Sequence, residues 1–570
     1  MIESESDPVL VVGAGPAGLI AALTLVKQGV PVKIIEKLPA FHTTSRGNGA
    51  QPRSLEIYHF LGMLDDYLRV ATPLPEMRAY KLPGGTEALR TWRVQDPIPP
   101  TPDRPILGNA KIMLGQYRLE SIFRDHLAKH GVQVELATEL VDFKQDERGV
   151  TATLKKNGTE VVEARVAYLV GADGAKGEYR IVSAVTRKLI GATFVGQTRD
   201  EDGQVWADIE LEGPPHEYWN VFTQPGKFNV SMRATGDSPT HFQVGILGID
   251  FDPVELTDPK KFVKFIEENI RPDFKFLKFK SLTYWKPNIR MVDRLRSGRV
   301  FIVGDAAHVH SPTGAQGLNT GIQDSFNLAW KIALVHKGLA RQDLLNSYEA
   351  ERLPVAAEML AATTALYERL AAYTRAKPGG QPTGAKPGTL QWQNAALTQL
   401  EINYRWSPIV LDVAGAGGLD AEALKKRAYA GYPREDVHAG DRAPEAPGLV
   451  DASGSETRLH DIYKPTMHTI LVFSPEADDA GDQIKSVLHA IQSLPEGAAQ
   501  VVVLARHRIP EPRDGVTAAY HDTEGHAFDA YRVKDGKFTV VAVRPDAYIG
   551  AFVRDAGGVK EYFSRILVGA

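Results

Sequence analysis

Hydrophobic and polar positions change their spacing several times along the chain, and the first change lies close to the N-terminus. Residues 9 to 26, VLVVGAGPAGLIAALTLV, are nearly all apolar and could be mistaken for a membrane span. Glycines in GxGxxG spacing interrupt the run, and burial of a strand and a helix in an α/β core explains the same hydrophobicity. The pattern therefore predicts a strand, a glycine turn and a helix, followed by a second strand in VPVKIIEK.

Two later stretches, YLVGADGAKG from Tyr168 and RVFIVGD up to Asp305, also read as a buried strand that ends in an acid and a glycine turn. A helix is then expected from about Gly317, because apolar residues recur at helical spacing. Its predicted inner face consists of Ile322, Phe326, Ala329, Trp330 and Ala333.

Strict alternation of polar and apolar residues follows a different rule and predicts half-buried strands in VWADIELEG, EYWNVF, FNVSMRA and HFQVGILGI. A Pro/Gly-rich tract, AKPGGQPTGAKPGT, reads as a loop or linker. After about residue 430, HAGDRAPEAPGLVD, HTILVFSP, QVVVLAR and TVVAVRPDAYIG alternate with the helical stretches AGDQIKSVLHAIQSL and VKEYFSRIL. This order predicts a separate C-terminal α/β unit.

Composition narrows the classes of function. A chain of 570 residues is too long for one core, and typical domain sizes suggest about three or four domains. Its net charge of -4 gives no reason to expect nucleic acid or an anionic membrane as a partner. The absence of cysteine excludes disulfides, thiol nucleophiles and Cys-ligated metals, and fits a cytoplasmic protein. The acidic start, MIESESDP, is unlike a secretory signal.

The GxGxxG motif carries the clearest chemistry. Gly13 makes the tight turn, Gly15 lets the backbone approach a pyrophosphate, and Gly18 lets helix and strand pack closely. The helix N-terminus offers free amides to the phosphates, and Glu36 is placed to bind an adenosine ribose. The alternative is a glycine-rich turn in a sheet that binds no ligand.

The stretch GDAAHVHSPTGAQGLNTG raises a second alternative, because His308 and His310 lie two residues apart near Asp305 and Asp324. These side chains do not form a recognisable set of metal ligands, so no metal site is predicted. Gly314, Gly317 and Gly321 instead leave room for a flat ring beside the backbone.

Together, the three strand-and-glycine stretches resemble the group A flavoprotein aromatic hydroxylases, in particular the phenol hydroxylase-like branch. RGNGAQPRSLEIY, GQYRLESIF and YEAERLPVA are similar to further segments of that family. The resemblance implies bound FAD, with Asp305 on the ribityl chain and flavin contacts from Gln116, Arg46 and Arg53. The full set of implied cofactor-binding residues is Gly13, Gly15, Ala17, Gly18, Glu36, Lys37, Arg46, Gln116, Asp173, Asp305, Pro312, Gly317, Leu318 and Asn319.

The resemblance also implies an α/β fold: a Rossmann-like FAD-binding domain, an inserted β-sheet substrate domain and a C-terminal thioredoxin-like α/β domain. The expected boundaries are 1–80, 105–180 and 287–390 for the FAD-binding domain, 81–104 and 181–286 for the substrate domain, 391–430 for a linker and helical region, and 431–570 for the thioredoxin-like domain. Without cysteine this last domain cannot exchange dithiols, so a packing or dimer-contact role is expected in a homodimer. Its deletion is expected to leave the flavin spectrum largely intact.

The implied reaction uses NADPH or NADH and O2 to hydroxylate a phenolic or other electron-rich aromatic substrate through a flavin C4a-hydroperoxide. Because Lys176-Gly177 replaces the family's usual Arg-Ser, the nicotinamide nucleotide contact departs from the pattern. Two rivals stay open. One is a flavin reductase or halogenase on the same fold, although the halogenase WxWxIP signature is missing. The other is a protein that binds flavin and aromatic ligands without turnover.

Substrate contacts are harder to assign from sequence. Asn48 stands where relatives carry a phenol-activating Asp, and an amide cannot act as a carboxylate base. Further catalytic candidates are Tyr218, Tyr284 and Arg290, with Trp219 and Trp285 beside them. The alternatives are a simple turn at Asn48 and ordinary core packing for the aromatic residues.

Overall fold

The computed structural model describes residues 7–45, 47–109, 111–175, 184–199, 202–311, 313–375, 395–413, 420–432, 437–474, 480–506, 514–534 and 537–569. Arg46, Pro312 and Lys176-Gly177, which the sequence implicates in cofactor contacts, lie outside these ranges, as does the Pro/Gly-rich tract.

Twenty-one strands occur in the described residues before α7, and their bounds are β1 (Val9–Val12), β2 (Val32–Ile35), β3 (Thr72–Pro73), β4 (Glu76–Tyr80), β5 (Ala88–Trp92), β6 (Lys111–Met113), β7 (Val134–Glu135), β8 (Thr138–Gln145), β9 (Val150–Lys156), β10 (Glu160–Val166), β11 (Tyr168–Gly171), β12 (Phe194–Thr198), β13 (Gln204–Glu212), β14 (Tyr218–Gln224), β15 (Phe228–Ala234), β16 (His241–Gly248), β17 (Lys275–Trp285), β18 (Asn288–Val292), β19 (Arg296–Ser297), β20 (Val300–Ile302) and β21 (His308–Val309). The later strands are β22 (Leu411–Asp412), β23 (Leu449–Val450), β24 (Glu456–Thr457), β25 (His468–Ser474), β26 (Ala499–Ala505), β27 (Ala518–Asp522), β28 (Thr539–Val543) and β29 (Ile549–Val553).

The helices are α1 (Pro16–Lys27), α2 (Pro52–Phe60), α3 (Leu64–Val70), α4 (Gln116–Ala128), α5 (Val185–Leu189), α6 (Pro259–Asn269), α7 (Gly317–His336), α8 (Asn346–Arg375), α9 (Ala421–Lys425), α10 (Leu459–Ile462), α11 (Ala480–Gln492), α12 (His526–Ala530) and α13 (Ala556–Ser564). None of the described helices is both long and apolar enough to cross a membrane.

The first sheet has the order β19-β20-β11-β1-β2-β7. All its pairs are parallel except that of the short edge strand β19. The chain runs outward from β1 through β2 to β7 and then returns to the other side of β1 at β11. Ligands of open α/β sheets bind outside the carboxyl ends of the strands at such a reversal. The predicted strand, glycine turn and helix of residues 9–27 are confirmed here by β1 and α1.

A seven-stranded sheet with the order β17-β13-β16-β15-β14-β4-β5 contains the four strands predicted from alternation. One face is apolar and packs on α6, whose Phe262 and Ile266 are fully buried. Asp258 caps α6 by accepting hydrogen bonds from the Lys260 and Lys261 amides. The opposite face carries polar and aromatic side chains. The strand β4 pairs with β14 and so joins this sheet, although the sequence placed residues up to 80 in the FAD-binding domain.

The C-terminal region forms an eight-stranded sheet with the order β22-β29-β28-β25-β26-β27-β23-β24. Its central strands β25 and β26 are parallel and are joined by α11, whereas β28 and β29 are antiparallel and precede α13. The residues HAGDRAPEAPG are mostly loop, since only the short β23 falls at the end of that predicted stretch.

The C-terminal sheet shares one continuous apolar core with the first sheet and its helices. The region 391–430, predicted to be a linker and helical region, contains α9 and is packed where it is described. The strand β22 pairs with β29, and Tyr404 lies fully buried beside Tyr548 with ring centroids 4.4 Å apart. In the described residues, the first sheet, the region 391–430 and the C-terminal sheet therefore pack against one another and do not form separate domains with independent cores.

Candidate functional site

The carboxyl ends of the parallel strands bring the glycine turn together with three acidic residues. Gly13 has φ of +102°, and a Cβ there would lie 2.4 Å from the Ala172 carbonyl oxygen. A Cβ at Gly18 would lie 2.0 Å from the Gly13 carbonyl oxygen, so both glycines are required by close packing within the protein. A Cβ at Gly15 would meet no protein atom within 4 Å. Gly15 therefore faces open space, as a residue beside a pyrophosphate should.

Glu36 directly follows β2 and reaches back to this turn. Its carboxylate accepts hydrogen bonds from the Ala14 amide at 3.0 Å and from the Leu38 amide at 3.1 Å. The carboxylate thus stands beside the glycine turn, where the ribose of a dinucleotide is expected. Lys37 is exposed next to it.

Asp173 follows β11 on the other side of β1. Its Oδ2 accepts hydrogen bonds from the Thr186 amide at 3.0 Å and hydroxyl at 3.2 Å. Its Oδ1 is shielded from solvent and has no hydrogen-bond partner. Burial raises the pKa of this carboxyl group. A buried acceptor with no partner is costly, so a ligand group that donates a hydrogen bond would stabilise this position.

Asp305 lies in a short 3-10 turn that directly follows β20, and its side chain is exposed at the same edge of the sheet. The preceding Gly304 has φ of +59°, and a Cβ there would lie 3.1 Å from Ala17 Cβ. A Cβ on Gly321 of α7 would lie 3.0 Å from Gly304 Cα. The small residues let α1, α7 and the turn approach closely and so position Asp305.

The N-terminus of α7 is formed by Gly317, Leu318 and Asn319. Gly317 lies against His310, because a Cβ on Gly317 would be 2.4 Å from His310 Nε2. Desolvation and the neighbouring His308 lower the pKa of the half-buried His310 to about 4, so it is neutral near pH 7. Asn319 fixes the opposite loop, since its Oδ1 accepts from the Gln51 amide at 2.8 Å.

The loop before α7 is held from behind by a buried amide network. Gln316 donates to the carbonyl oxygens of Gly314 and Leu397, and its Oε1 accepts from Gln399 and from the Tyr429 hydroxyl. Leu397, Gln399 and Tyr429 come from the region 391–430, predicted to be a linker and helical region. The region therefore supports the loop on which the flavin ring is expected to lie.

The loop at residues 45–51, here called the cofactor loop, lies between two parts of the protein. On one side is the edge of the first sheet that carries the glycine turn, here called the glycine edge, and on the other is the seven-stranded sheet. Asn48 pairs with Gly115 in an isolated β-bridge, and Gln116 donates its amide to the Gly47 carbonyl at 2.9 Å. The Asn48 side chain donates to Gln243 Oε1 at 3.1 Å. Its own Oδ1 is buried and has no hydrogen-bond partner. Asn48 thus presents an unused acceptor between the two parts of the protein.

The sheet face toward this loop is polar and aromatic. Arg233 on β15 pairs with Gln243 on β16, which pairs with Asp208 on β13. The guanidinium of Arg233 lies 4.5 Å from the ring centroid of Trp219. Trp206 lies over Gly245, where a Cβ would be 2.9 Å from the indole.

Tyr218 and Tyr284 occupy the other face. Side chains alternate along a strand, so Tyr218 faces away from its neighbour Trp219, and Arg78 covers its ring at 3.4 Å. Tyr284 pairs with the fully buried Val205 and contacts the backbone of Gly203. Both tyrosines therefore point away from the loop at 45–51, which counts against the prediction that they contact the substrate.

Two arginines named from the sequence bind elsewhere in the protein. Arg290 donates to Asn288 Oδ1 at 2.9 Å and to the Phe194 carbonyl at 3.2 Å, across the small sheet of β12, β18 and β21. Arg53 is buried and donates to Glu56 Oε2 at 2.7 Å and to the Asp546 carbonyl at 2.8 Å. Its guanidinium therefore serves the contact with the C-terminal region.

A buried ionic cluster joins the sheet to the loop. His241 lies between Asp208 and Asp237, with Nδ1 2.8 Å from Asp237 and Nε2 in hydrogen-bond contact with Asp208. Its pKa is raised to about 9, because the hydrogen bonds and charges of the two carboxylates outweigh the cost of burial. Asp208 Oδ2 also accepts from the Ser45 amide at 2.6 Å. His241 therefore carries a positive charge near neutral pH.

The residues present fit FAD better than a metal. An open position at Gly15, an unpartnered acceptor on Asp173, and the N-termini of α1 and α7 without acidic residues in their first turns suit a dinucleotide. Within the described ranges, no group of three or more His, Asp or Glu side chains is arranged to hold a metal ion. His308 Nε2 donates to Asp324 Oδ2 at 2.7 Å, and the histidine is buried as part of the loop.

Sequence reasoning missed Trp206, Arg233 and Gln243. Their strands were predicted, and the alternation in FNVSMRA would have placed Arg233 opposite the apolar side. Which face meets the cofactor loop depends on pairing between distant strands, and the motifs contain no information about that pairing.

Comparison with known proteins gives a uniform result. The family described as FAD binding domain matches residues 6–363. A flavin-dependent monooxygenase of Mycobacteroides abscessus is 30% identical over 98% of this chain and 100% of its own length. A pentachlorophenol 4-monooxygenase of Sphingobium chlorophenolicum is 28% identical over 82% of this chain and 80% of its own. The flavin-dependent monooxygenase PieE, solved with FAD and substrate, shares the fold with a TM-score of 0.79 at 23% identity over 98% of both chains.

Proposed function

The chain belongs to the FAD-binding family of flavoprotein aromatic hydroxylases, and from this premise we propose that it uses NADPH or NADH and O2 to hydroxylate a phenolic or other electron-rich aromatic substrate. The main observation behind the proposal is that two surfaces face each other, one suited to a cofactor and one suited to an aromatic substrate. The glycine edge and the N-terminus of α7 provide a cofactor site, and a polar, aromatic sheet face lies across the loop at residues 45–51.

FAD would be held along the carboxyl edge of the first sheet. The α1 N-terminus at Gly15 would bind the pyrophosphate, Glu36 the adenosine ribose, and Asp305 the ribityl chain. The amides of Gly317 and Leu318 would face the ring, where the helix dipole favours negative charge. When bound, FAD supplies hydride acceptance and oxygen activation, which are reactions that side chains do not perform.

The chain's own residues would orient the substrate and exclude water. Asn48 Oδ1 is a buried acceptor without a partner, so it suits the O–H of a neutral phenol. Its Nδ2 is already bonded to Gln243, which fixes the direction of the amide. Asn48 would therefore hold the phenol O–H as a hydrogen-bond acceptor without serving as a carboxylate base. Trp206 and Trp219 supply aromatic surface on the same sheet face.

A non-catalytic flavin-binding protein and a flavin reductase are the rival functions. A reductase would oxidise NAD(P)H without forming hydroxylated product, and a binding protein would show NAD(P)H oxidation that no aromatic compound accelerates. The relatives named above are monooxygenases, which favours hydroxylation.

We assign the C-terminal region a thioredoxin-like fold. The order β26-β25-β28-β29, built from a parallel βαβ unit and an antiparallel ββα unit, supports this assignment. The chain has no cysteine, so the domain would serve packing and not dithiol exchange.

The decisive experiment is a substrate screen with FAD-reconstituted protein. Phenols and larger polycyclic phenols would be tested for accelerated NAD(P)H oxidation, oxygen uptake and a product heavier by one oxygen atom. Incorporation of label from 18O2 into that product would establish monooxygenation. Oxidation of NAD(P)H with peroxide as the sole product across the whole screen would contradict it.

A further inference from the structure

Arg233 is a charged residue on the sheet face that meets the cofactor loop. Its Nη2 donates to Gln243 Oε1 at 2.8 Å, and its guanidinium lies over the Trp219 ring. Among the described residues, no carboxylate lies within salt-bridge distance of it. Burial lowers the pKa of Arg233 to about 10, which still leaves it charged near neutral pH.

The nearest acidic residue in the cross-strand row cannot supply the missing charge. Asp208 lies on the far side of Gln243 in the pairing order of the sheet. Both of its oxygens are engaged, one by His241 and the other by the Ser45 amide. The positive charge of His241 is likewise balanced, by Asp208 and Asp237. Among the described charged side chains of this row, Arg233, Asp208 and His241, only Arg233 has no ion-pair partner.

A partly buried arginine without an ion-pair partner lowers the stability of the folded protein unless an anion binds to it. Partial removal of a guanidinium from water is unfavourable, and a hydrogen bond to a neutral amide repays only part of that cost. Gln243 Oε1 also accepts from Asn48 Nδ2, so this neutral oxygen is shared between two donors and does not balance the guanidinium charge. Trp206 and Trp219 add apolar walls to this polar patch.

We propose that Arg233 anchors an anionic oxygen on the aromatic substrate and so selects acidic aromatics over neutral ones. This inference rests on the proposed function, since it assigns a substrate class to the same site. The guanidinium offers Nε and Nη1 to the oxygen, while Gln243 fixes Nη2. Arginine suits a planar oxyanion because its donors form a rigid fork.

The anionic oxygen can belong to an ionised phenol or to a ring carboxylate, and matched probes distinguish the two. Binding to the FAD-loaded protein would be measured by calorimetry with pentafluorophenol against pentafluoroanisole, and with 4-methoxybenzoate against its methyl ester. The variants are Arg233→Gln and Arg233→Lys. Arg78→Gln is the matched control, because Arg78 also lies over an aromatic ring but on the opposite sheet face.

We expect at least one anion to bind wild-type protein about 10-fold or more tightly than its neutral partner, with that preference lost in Arg233→Gln. Arg233→Lys should retain part of the preference, and Arg78→Gln should retain all of it. Preference for pentafluorophenol alone would identify a phenolate subsite, and preference for the benzoate alone a carboxylate subsite.

Equal binding of charged and neutral probes by the wild type would overturn the inference. So would an equal loss of both probes in Arg233→Gln, because that result indicates a structural role. These binding measurements need no turnover, so they are independent of the hydroxylation assay. Hydroxylation of acidic aromatics at an undiminished rate and KM by Arg233→Gln would overturn the subsite while leaving the proposed function in place.

Discussion

Gly15 and Gly18 belong to one motif, yet an added side chain would meet different surroundings at the two positions. At Gly18 a Cβ would collide with the Gly13 carbonyl, whereas at Gly15 it would project into open space. We therefore expect Gly15→Val to fold with a melting temperature near that of wild-type apoprotein. Its FAD affinity should fall by about 1.5–3 kcal/mol or more, through lost contacts to a charged phosphate.

Thermal melting of apoprotein and titration with FAD would check this prediction. Gly18→Val is the comparison variant, and it should lose folding together with cofactor binding. Wild-type FAD affinity in Gly15→Val would show that the glycine turn holds no dinucleotide.

Asn48 tests the substrate side of the same site. Asn48→Ala removes an unpartnered buried acceptor and one hydrogen bond to Gln243. We expect weaker stimulation of flavin reduction by substrate and more peroxide per NAD(P)H, with FAD affinity nearly unchanged. Asn48→Asp would add a potential base, but its negative charge would lie beside the reduced flavin, so lower turnover is expected there as well.

Steady-state kinetics with a peroxide assay would measure both variants. Turnover and coupling equal to wild type in Asn48→Ala would support a simple turn role in the Gly47-Asn48-Gly49 segment.

At the scale of single residues, the sequence predicted those site residues that directly follow a predicted strand. The glycine turn, Glu36 and Asp305 follow their strands directly, so motif and position coincide. Tyr218 and Arg233 depend on which side of a strand meets the cofactor loop. A shift of one residue in strand pairing exchanges the two faces, and sequence alternation alone does not say which face is inside.

At the scale of elements, one of the contacts between the seven-stranded sheet and the loop at residues 45–51 is built around a buried histidine. His241 bridges Asp208 and Asp237, and Asp208 in turn accepts the Ser45 amide. Lys280 Nζ lies 3.2 Å from His241 Nδ1 and opposes protonation, but the two carboxylates prevail. This contact between the sheet and the loop therefore depends on the positive charge of His241, which is lost as the pH rises.

The pKa of His241 is about 9 in the folded protein, against 6.5 for the ordinary residue. Because the folded state binds this proton more tightly, the stabilisation is complete below pH 6.5 and is lost as the pH rises through 9. We expect the difference in unfolding free energy between wild type and His241→Asn to shrink across this range by on the order of 2–3 kcal/mol.

Denaturant unfolding at a series of pH values would measure that difference. Using the difference removes other titrating groups, such as the buried Lys331, whose pKa is lowered to about 8. A difference that stays constant between pH 6 and pH 10 would mean that folding does not raise the pKa of His241.

The strands of this sheet were predictable from alternation because one of its faces is buried on α6 and the other is polar. Membership of β4 was not predictable, because β4 reaches β14 through a parallel pairing across more than a hundred residues. Local patterns define a strand, but its neighbours are chosen by packing of the whole sheet.

At the scale of the whole molecule, a fully buried charge cluster binds the C-terminal region to the cofactor half. Arg544 donates to both oxygens of Glu351 at 2.8 and 3.0 Å, and Lys331 Nζ lies 2.7 Å from the same carboxylate. All three side chains are buried. The sequence pattern predicts that deletion of residues after about 430 spares the flavin site, whereas the buried cluster gives a physical reason to expect the reverse.

We predict that a chain ending at residue 432 will neither fold stably nor hold FAD, because it removes the strongest partner of Glu351 and opens the shared apolar core.

Loss of flavin on truncation has two explanations, and the full-length variant Arg544→Met separates them. Breaking a buried ion pair costs about 3–5 kcal/mol, so the variant should unfold at much lower denaturant concentration. Arg69→Met, at a residue whose side chain is 70% exposed, should change stability little. If the C-terminal region only supports the fold, Arg544→Met will bind FAD with wild-type affinity at low temperature, where it is still folded. Weakened FAD binding by folded Arg544→Met would instead make the C-terminal region part of the cofactor site.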